Sequence, residues 1–160
     1  MNMLRSLLTS TMLAVMTGCS HVPAGSAPPA ELAMISQSWS GDYPVAELKR
    51  LPDGQQRSAA GFLGNAAAFE SVWAAFKPGE AVPAVDFGKQ VVVFHRNVDF
   101  YNRTRIFKVT LREGVAEVLA METLSALPIV DKVAMAMAVI PRAGVKSLRA
   151  GPANVPLRAE

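Results

Sequence analysis

The stretch Val91-Val-Val-Phe94, set between Lys89 and Arg96, decides how this chain is expected to fold. Four consecutive apolar residues are too continuous for a strand that has one face in water. They are typical of a strand that is buried on both faces. We therefore predict that residues 89–96 form a central strand of the domain.

The segment before this strand predicts the one clear helix. Asn65 is a suitable N-cap, residues 66–77 are rich in alanine, and Pro78-Gly79 follows as a stop signal. The large apolar side chains repeat at the spacing of one helix face, at Phe69, Val72, Trp73 and Phe76. We interpret these aromatic side chains as core rather than as a platform for a ligand.

The segment after the central strand predicts a hairpin over residues 104–123, with Glu113-Gly114 as its turn. A two-residue loop sets Thr110 opposite Glu117 on the wetter face, whereas a slip of one residue would set Val109 there. The burial pattern thus favours the register that pairs Leu111 with Ala116, Val109 with Val118, and Phe107 with Ala120.

Further strands are predicted at residues 45–51, 58–63, 133–140 and 145–149. The strand at 133–140 has large residues at odd positions and mostly alanine at even ones, which suits a helix or second layer close by. Its Met135 and Met137 lie on one face, where two thioethers can bind Cu(I). A buried strand face requires the same spacing and methionine fills cores well, so we expect core packing.

Together these elements predict the α+β class, with a single antiparallel sheet of about five to seven strands and one main helix on one face. We assign residues 38–150 to this domain and 151–160 to a tail. Residues 19–37 are interpreted as a lipidated N-terminus and flexible tether, because the stretch at 20–30 is rich in Pro, Gly, Ser and Ala. Such a composition cannot bury enough apolar surface to offset chain entropy.

Residues 1–18 have the pattern of an export signal. Arg5 is the only charge before Cys19, an apolar run follows it, and small Thr17 and Gly18 lead into the cysteine. The run is too short for a membrane-spanning helix, which needs roughly 20 apolar residues. The alternative for Cys19 is a lone cysteine in an ordinary secreted protein.

The end of this signal resembles the lipobox of bacterial lipoproteins, with Met16 where leucine is usual. The resemblance implies a diacylglycerol on the Cys19 sulfur and a further acyl chain on its amine, which make the membrane a partner. Two or three chains anchor a protein stably where one does not. Ser20 favours the outer membrane over the inner, since an aspartate at that position usually means inner-membrane retention.

Net charge and catalytic motifs exclude several functions. The chain carries 16 basic and 13 acidic residues without a long run of one sign, so nucleic acid is not implied. His95 is the only histidine in the domain, and no Gly-x-Ser-x-Gly elbow presents a nucleophile. With one histidine in the domain and Cys19 expected to be lipidated, a zinc site of His and Cys ligands is out of reach. We predict no catalytic, cofactor or metal site.

A scatter of short patterns runs from residue 61 to residue 148. It comprises Phe69-x3-Trp73 on the helix, Pro83-Ala-Val85-Asp86-Phe87, Lys89-Gln-Val-Val-Val93 and the strand end Ile140-Pro141. The pattern resembles the C-terminal domain of PrcB-like proteins, lipoprotein subunits associated with a bacterial surface protease complex. That family usually has a glycine-rich segment where this chain has residues 95–105. The resemblance implies a non-catalytic accessory or binding module and supplies no catalytic residue.

Residues 95–105 are the best functional candidate, because arginine and tyrosine carry much of the energy of protein interfaces. The candidate partner surface comprises Arg96, Asn97, Asp99, Tyr101, Asn102, Arg103 and Arg105. An ordinary polar connection between strands is the alternative. The sequence thus predicts a lipid-anchored envelope protein that is non-enzymatic and contacts a protein partner. The alternatives are an envelope glycan or small-ligand binding module and, third, an enzyme of unknown class.

Overall fold

The computed structural model describes residues 31–33 and 35–157. Its centre is a four-stranded antiparallel sheet in which β4 (Gln90–Arg96) and β7 (Lys132–Pro141) are the inner strands. The outer strands are β2 (Gln37–Pro44), paired with β7, and β3 (Ala60–Leu63), paired with β4. The predicted central strand is therefore confirmed.

A second sheet of five strands packs on one face of the first. Its order is β1 (Glu31–Ala33), β5 (Thr104–Arg112), β6 (Val115–Glu122), β8 (Ser147–Ala150) and β9 (Ala153–Pro156). The pairing of β6 with β8 is parallel, because the chain leaves this sheet after β6 to form β7 and then returns. The α+β class and the one main helix are confirmed, whereas the prediction of a single antiparallel sheet is wrong.

The helix α1 (Ala66–Phe76) covers the other face of the four-stranded sheet. The Asn65 side chain accepts a hydrogen bond of 2.9 Å from the backbone N–H of Ala68, as expected of an N-cap. The four apolar side chains of the predicted face are all buried. Trp73 lies at their centre, with its ring centroid 5.1 Å from that of Trp39 and 5.6 Å from that of Phe69.

Strand β7 shows why two layers are needed. Its large odd-numbered side chains, including Met135 and Met137, pack toward α1 and are fully buried. The alanines at the even positions face the second sheet, where small side chains let the two sheets approach. The alternation read from the sequence was correct, and both methionines belong to the core.

Two local predictions are wrong for identifiable reasons. Residues 45–51 do not form a strand but a 3-10 helix (Val45–Arg50), in which Val45, Leu48 and Leu51 pack inward at a spacing of three. That spacing matches the three residues per turn of a 3-10 helix. In the hairpin, the register is confirmed from Arg112 back to Lys108, but a β-bulge shifts it at Phe107. Ile106 takes the place opposite Ala120, and Phe107 is half exposed.

The domain boundaries differ from those assigned from the sequence. β1 lies within the range assigned to the tether, and β9 lies within the range assigned to the tail. The signal at residues 1–18, the lipidation site Cys19 and residues 20–30 lie outside the described residues. Within the part of the chain that the structure describes, no helix has the length and apolar character to cross a membrane.

Candidate functional site

The predicted site is the connection between β4 and β5, and Asn97 shapes it. The Asn97 side-chain oxygen accepts hydrogen bonds from the backbone N–H groups of Asp99 (2.9 Å) and Phe100 (2.8 Å). Its amide nitrogen donates to a Glu122 carboxylate oxygen at 2.7 Å. An asparagine that bonds to the backbone two and three residues ahead stabilises a turn, so the loop has a defined conformation.

Glu122 connects this turn to the strands below it. One of its oxygens lies 3.5 Å from Nδ1 of His95, and the other accepts from Asn102 at 3.5 Å. Nδ1 of His95 also lies 3.3 Å from the Thr104 hydroxyl. Burial lowers the pKa of His95, and the nearby Glu122 carboxylate offsets this only in part. The neutral form of His95 therefore predominates at pH 7.

Two predicted surface residues lie in the interior. Arg96 is 4% exposed and donates to the carbonyl of Gln56 at 2.6 Å, while Asn102 is 7% exposed. Arg96 Nε and Asn102 Oδ1 have no hydrogen-bond partner among the described residues. Because their side chains point inward, these two residues hold the segment in place and do not contribute to a contact surface.

The remaining predicted residues reach solvent. Asp99, Arg103 and Arg105 are exposed, and Tyr101 is half-buried. The Tyr101 hydroxyl donates to Asp42 at 2.6 Å. This bond links the loop to the edge strand β2 across the gap between the two sheets.

Asp42 is the centre of a small charged cluster. Lys132 donates to its second oxygen at 2.7 Å, and the ammonium lies 5.5 Å from the centroid of the Tyr101 ring. Partial burial would raise the pKa of Asp42, but the hydrogen bonds from Lys132 and Tyr101 outweigh it and the pKa is lowered. The same bonds raise the pKa of Tyr101 and of Lys132. At neutral pH Asp42 and Lys132 are therefore both charged and paired, whereas Tyr101 keeps its proton.

A cavity of about 350 Å³ lies beside this cluster. It is lined by residues of β2, β7 and the loop: Ser40, Gly41, Asp42, Tyr101, Arg103, Thr104 and Ala134. A wider cavity of about 880 Å³ lies between residues 50–58, the start of α1 and β9. Neither brings together the groups that hydrolytic chemistry needs. Among the described residues there is no cluster of three or more His, Cys, Asp or Glu that could hold a metal ion.

Sequence reasoning missed a second loop that lies against the first. Residues 123–131 connect β6 and β7, and the carbonyl of Leu127 accepts from the backbone N–H of Tyr101 at 2.9 Å. Thr123 and Arg103 exchange two bonds of 3.0 Å, and Phe100 forms an isolated bridge with Pro128. Only the tertiary fold brings these loops together, so no local sequence signal could have paired them.

The two loops share an unusual apolar exposure. Five large apolar side chains lie on them with 41% or more of their surface in water: Val98, Phe100, Leu124, Leu127 and Val130. We call these five residues the loop-end surface. Scattered exposed apolar residues are normal, whereas these five lie on two loops that contact each other.

Comparison with known proteins adds no family. No family model, curated protein or solved structure matches this chain.

Proposed function

We propose that this protein is a lipid-anchored, non-enzymatic protein of the bacterial cell envelope that acts by binding another protein through the loop-end surface. The observation that carries the proposal is the apolar exposure of two loops that hydrogen bonds hold in place. Ordered loops that expose Phe100 and Leu127 lose less entropy on binding than mobile ones. Arg103 and Tyr101 lie beside them and are the residue types that carry interface energy.

The position of the surface fits an anchored protein. β1 enters the domain with Glu31 paired to Leu111, next to the hairpin turn, whereas the loops lie at the opposite end of the hairpin beside Thr104. Leu111 lies seven steps along the strand from Thr104, about 23 Å at 3.3 Å per residue. A tether before residue 31 would thus hold the domain by one end and present the loop-end surface at the other. The resemblance of residues 61–148 to PrcB-like subunits supports an accessory role in a protease assembly.

A site-specific cross-link in intact cells tests the proposal. A photoreactive amino acid at position 127 should give a discrete cross-linked protein, because Leu127 is 62% exposed within the surface. The matched control is position 82, since Val82 is 44% exposed on a different loop. The adduct at 127 should disappear when Phe100→Asp is added and persist when Val82→Asp is added. Equal adducts from both positions, or an adduct insensitive to Phe100→Asp, would contradict the proposal.

The anchor is tested separately. Replacement of the sole cysteine, Cys19→Ser, removes the sulfur that acylation requires. The variant should leave the membrane fraction, and intact-mass measurement of the native protein should show acyl chains on Cys19. A variant that still sediments with the outer membrane would disprove lipid anchoring without touching the interaction surface.

The cavity beside Asp42 favours a second candidate function, the binding of an envelope glycan or small polar ligand. Tyr101 offers an aromatic face, and Ser40 and Asp42 offer polar groups within a volume of about 350 Å³. Soluble cell-wall fragments should then raise the melting temperature of the protein, and Asp42→Ala should abolish the shift. No stabilisation by any fragment would remove this candidate.

A further inference from the structure

Strand β5 has an unpaired edge. It spans nine residues and pairs with β6 at every position except the bulge at Phe107, but on its other side the three-residue β1 covers only Val109 to Leu111. In the described chain no strand pairs with residues 104–108 on that side, and we call these residues the free edge of β5. Unpaired strand edges are templates for pairing with another chain.

The space next to this edge has a floor, and the hydrogen bond from Tyr101 to Asp42 bridges it at one end. Ser38, Ser40 and Asp42 of β2 face the side on which the five-stranded sheet packs, since the alternate residue Trp39 packs toward the helix. All three are exposed because the five-stranded sheet does not extend beyond β5 at this level. The cavity lined by Ser40, Asp42 and Thr104 lies here. A strand added to β5 would lie over this floor.

The charges beside the edge indicate which partner fits. Arg103, Arg105 and Lys108 are exposed, and none of them forms a salt bridge with any described residue. The nearby carboxylate of Asp42 is paired with Lys132. Two copies of the chain that met edge to edge would bring like charges together, which disfavours self-pairing. An acidic chain would instead place carboxylates opposite these cations.

We propose that the free edge of β5 is the docking site for an extended acidic segment of the partner protein, added as a strand next to β1. This proposal rests on the protein-binding function proposed above. It adds the chemistry of the partner segment, which is extended and acidic. Alternate side chains of an added strand point to opposite faces. Those on the outer face meet Arg105 and Lys108 and should be acidic. Those on the inner face lie over Ser38 and Ser40 and should be neutral.

Defined peptides test this on the full chain in detergent. The probe is a fluorescent peptide of about nine residues in which glutamate alternates with threonine or valine. Lysine replaces glutamate in one control peptide, and proline replaces the neutral residues in another, because proline cannot complete a ladder of hydrogen bonds. Only the alternating acidic peptide should bind, with weaker affinity at high salt. Hydrogen exchange should slow in residues 104–108.

Matched variants locate the contact. Arg105→Glu with Lys108→Glu should weaken binding about tenfold or more, since it turns two attractions into repulsions. The control is Arg112→Glu, which makes the same change of charge on the same strand. Arg112 lies at the hairpin turn, outside residues 104–108, so this variant should change affinity less than about twofold. Val82→Asp, on a different loop, should leave peptide affinity unchanged.

Three outcomes would overturn the proposal. These are no binding up to about 1 mM peptide, equal binding of the lysine peptide, and slowed exchange at another segment instead of residues 104–108. Slowed exchange there with a cell-wall saccharide, but not with the peptide, would also overturn it and would favour the small-ligand candidate. If the peptide fails while the cross-link at position 127 still depends on Phe100, strand addition is wrong and the protein-binding function stands.

Discussion

The helix side of the four-stranded sheet and the loop end of the molecule use aromatic residues in opposite ways. Beneath α1, Trp73 is 2% exposed, and its indole N–H donates to the carbonyl of Glu80 at 3.3 Å. At the loop end, Phe100 is 46% exposed although its backbone is held by Asn97. Order in one region comes from packing and in the other from hydrogen bonds. Apolar side chains at the loop end therefore stay largely exposed although their backbone is ordered.

Among the substitutions that test this contrast, removal of the Trp73 indole should have the largest effect on the free energy of unfolding. Trp73→Ala should lower the free energy of unfolding by about 3–5 kcal/mol, because it leaves a cavity under the helix. Urea titration followed by circular dichroism measures the loss. Trp73→Phe keeps most of the volume and should cost less. A loss below about 1 kcal/mol would mean that the helix is not packed as described.

A glycine in β3 should show how closely the core is packed. A Cβ at Gly61 would lie 2.0 Å from the Gln55 side-chain oxygen and 2.4 Å from the Phe94 ring. Gly61→Ala should therefore destabilise the protein by about 1–3 kcal/mol in thermal unfolding. The control is Gly41→Ala, where the nearest atom, at 3.3 Å, is the flexible Lys77 ammonium. Equal effects of the two variants would contradict this packing.

His95 lies between the two regions and should make stability depend on pH. Burial lowers the pKa of His95 in the folded state from its ordinary value of 6.5. Above pH 6.5 His95 is neutral in both the folded and the unfolded protein. As the pH falls below 6.5, His95 binds a proton first in the unfolded protein, and this favours the unfolded state. Stability should drop between about pH 7 and pH 5, and His95→Gln should flatten this part of the curve. An unchanged slope in the variant would exclude His95 as the source.

The smallest effect on stability is expected at the loop end. Phe100→Asp should change the free energy of unfolding by less than about 1 kcal/mol, because Phe100 is half exposed and belongs to neither core cluster. The same substitution should abolish the cross-link at position 127. A loss of stability comparable to that of Trp73→Ala would show that the loop end is part of the core, and the contrast between the regions would fail.

The sequence predicted which side chains share a strand face better than it predicted which element covers that face. Met135 and Ala136 revealed that β7 has a large face and a small face, but a period of two does not say whether a helix or a sheet covers each face. β2 was missed because Gly41 interrupts the alternation of Trp39 and Tyr43. The chain returns from β7 to pair β8 with β6 in parallel, which depends on the tertiary fold and left no local signal.

For the same reason, the sequence did not show which side chains of the predicted segment reach the surface. The composition of residues 95–105 indicated a contact surface, yet it could not distinguish the inward Arg96 from the outward Arg103. Arg96 lies at the end of β4 with its side chain directed inward, and its guanidinium donates a hydrogen bond to the carbonyl of Gln56. The second loop belongs to the candidate site only because it forms hydrogen bonds with Tyr101 and Arg103.

The pairing of β2 with β7 sets the order in which a new chain can mature. Asp42 and Lys132, which meet across this pair, are 90 positions apart. At about 5–20 residues per second, a ribosome needs roughly 5–20 s to proceed from one to the other. During that interval Trp39 and Tyr43 have no β7 to pair with. A nascent chain therefore exposes the apolar face of β2 until residues 132–141 have been synthesised.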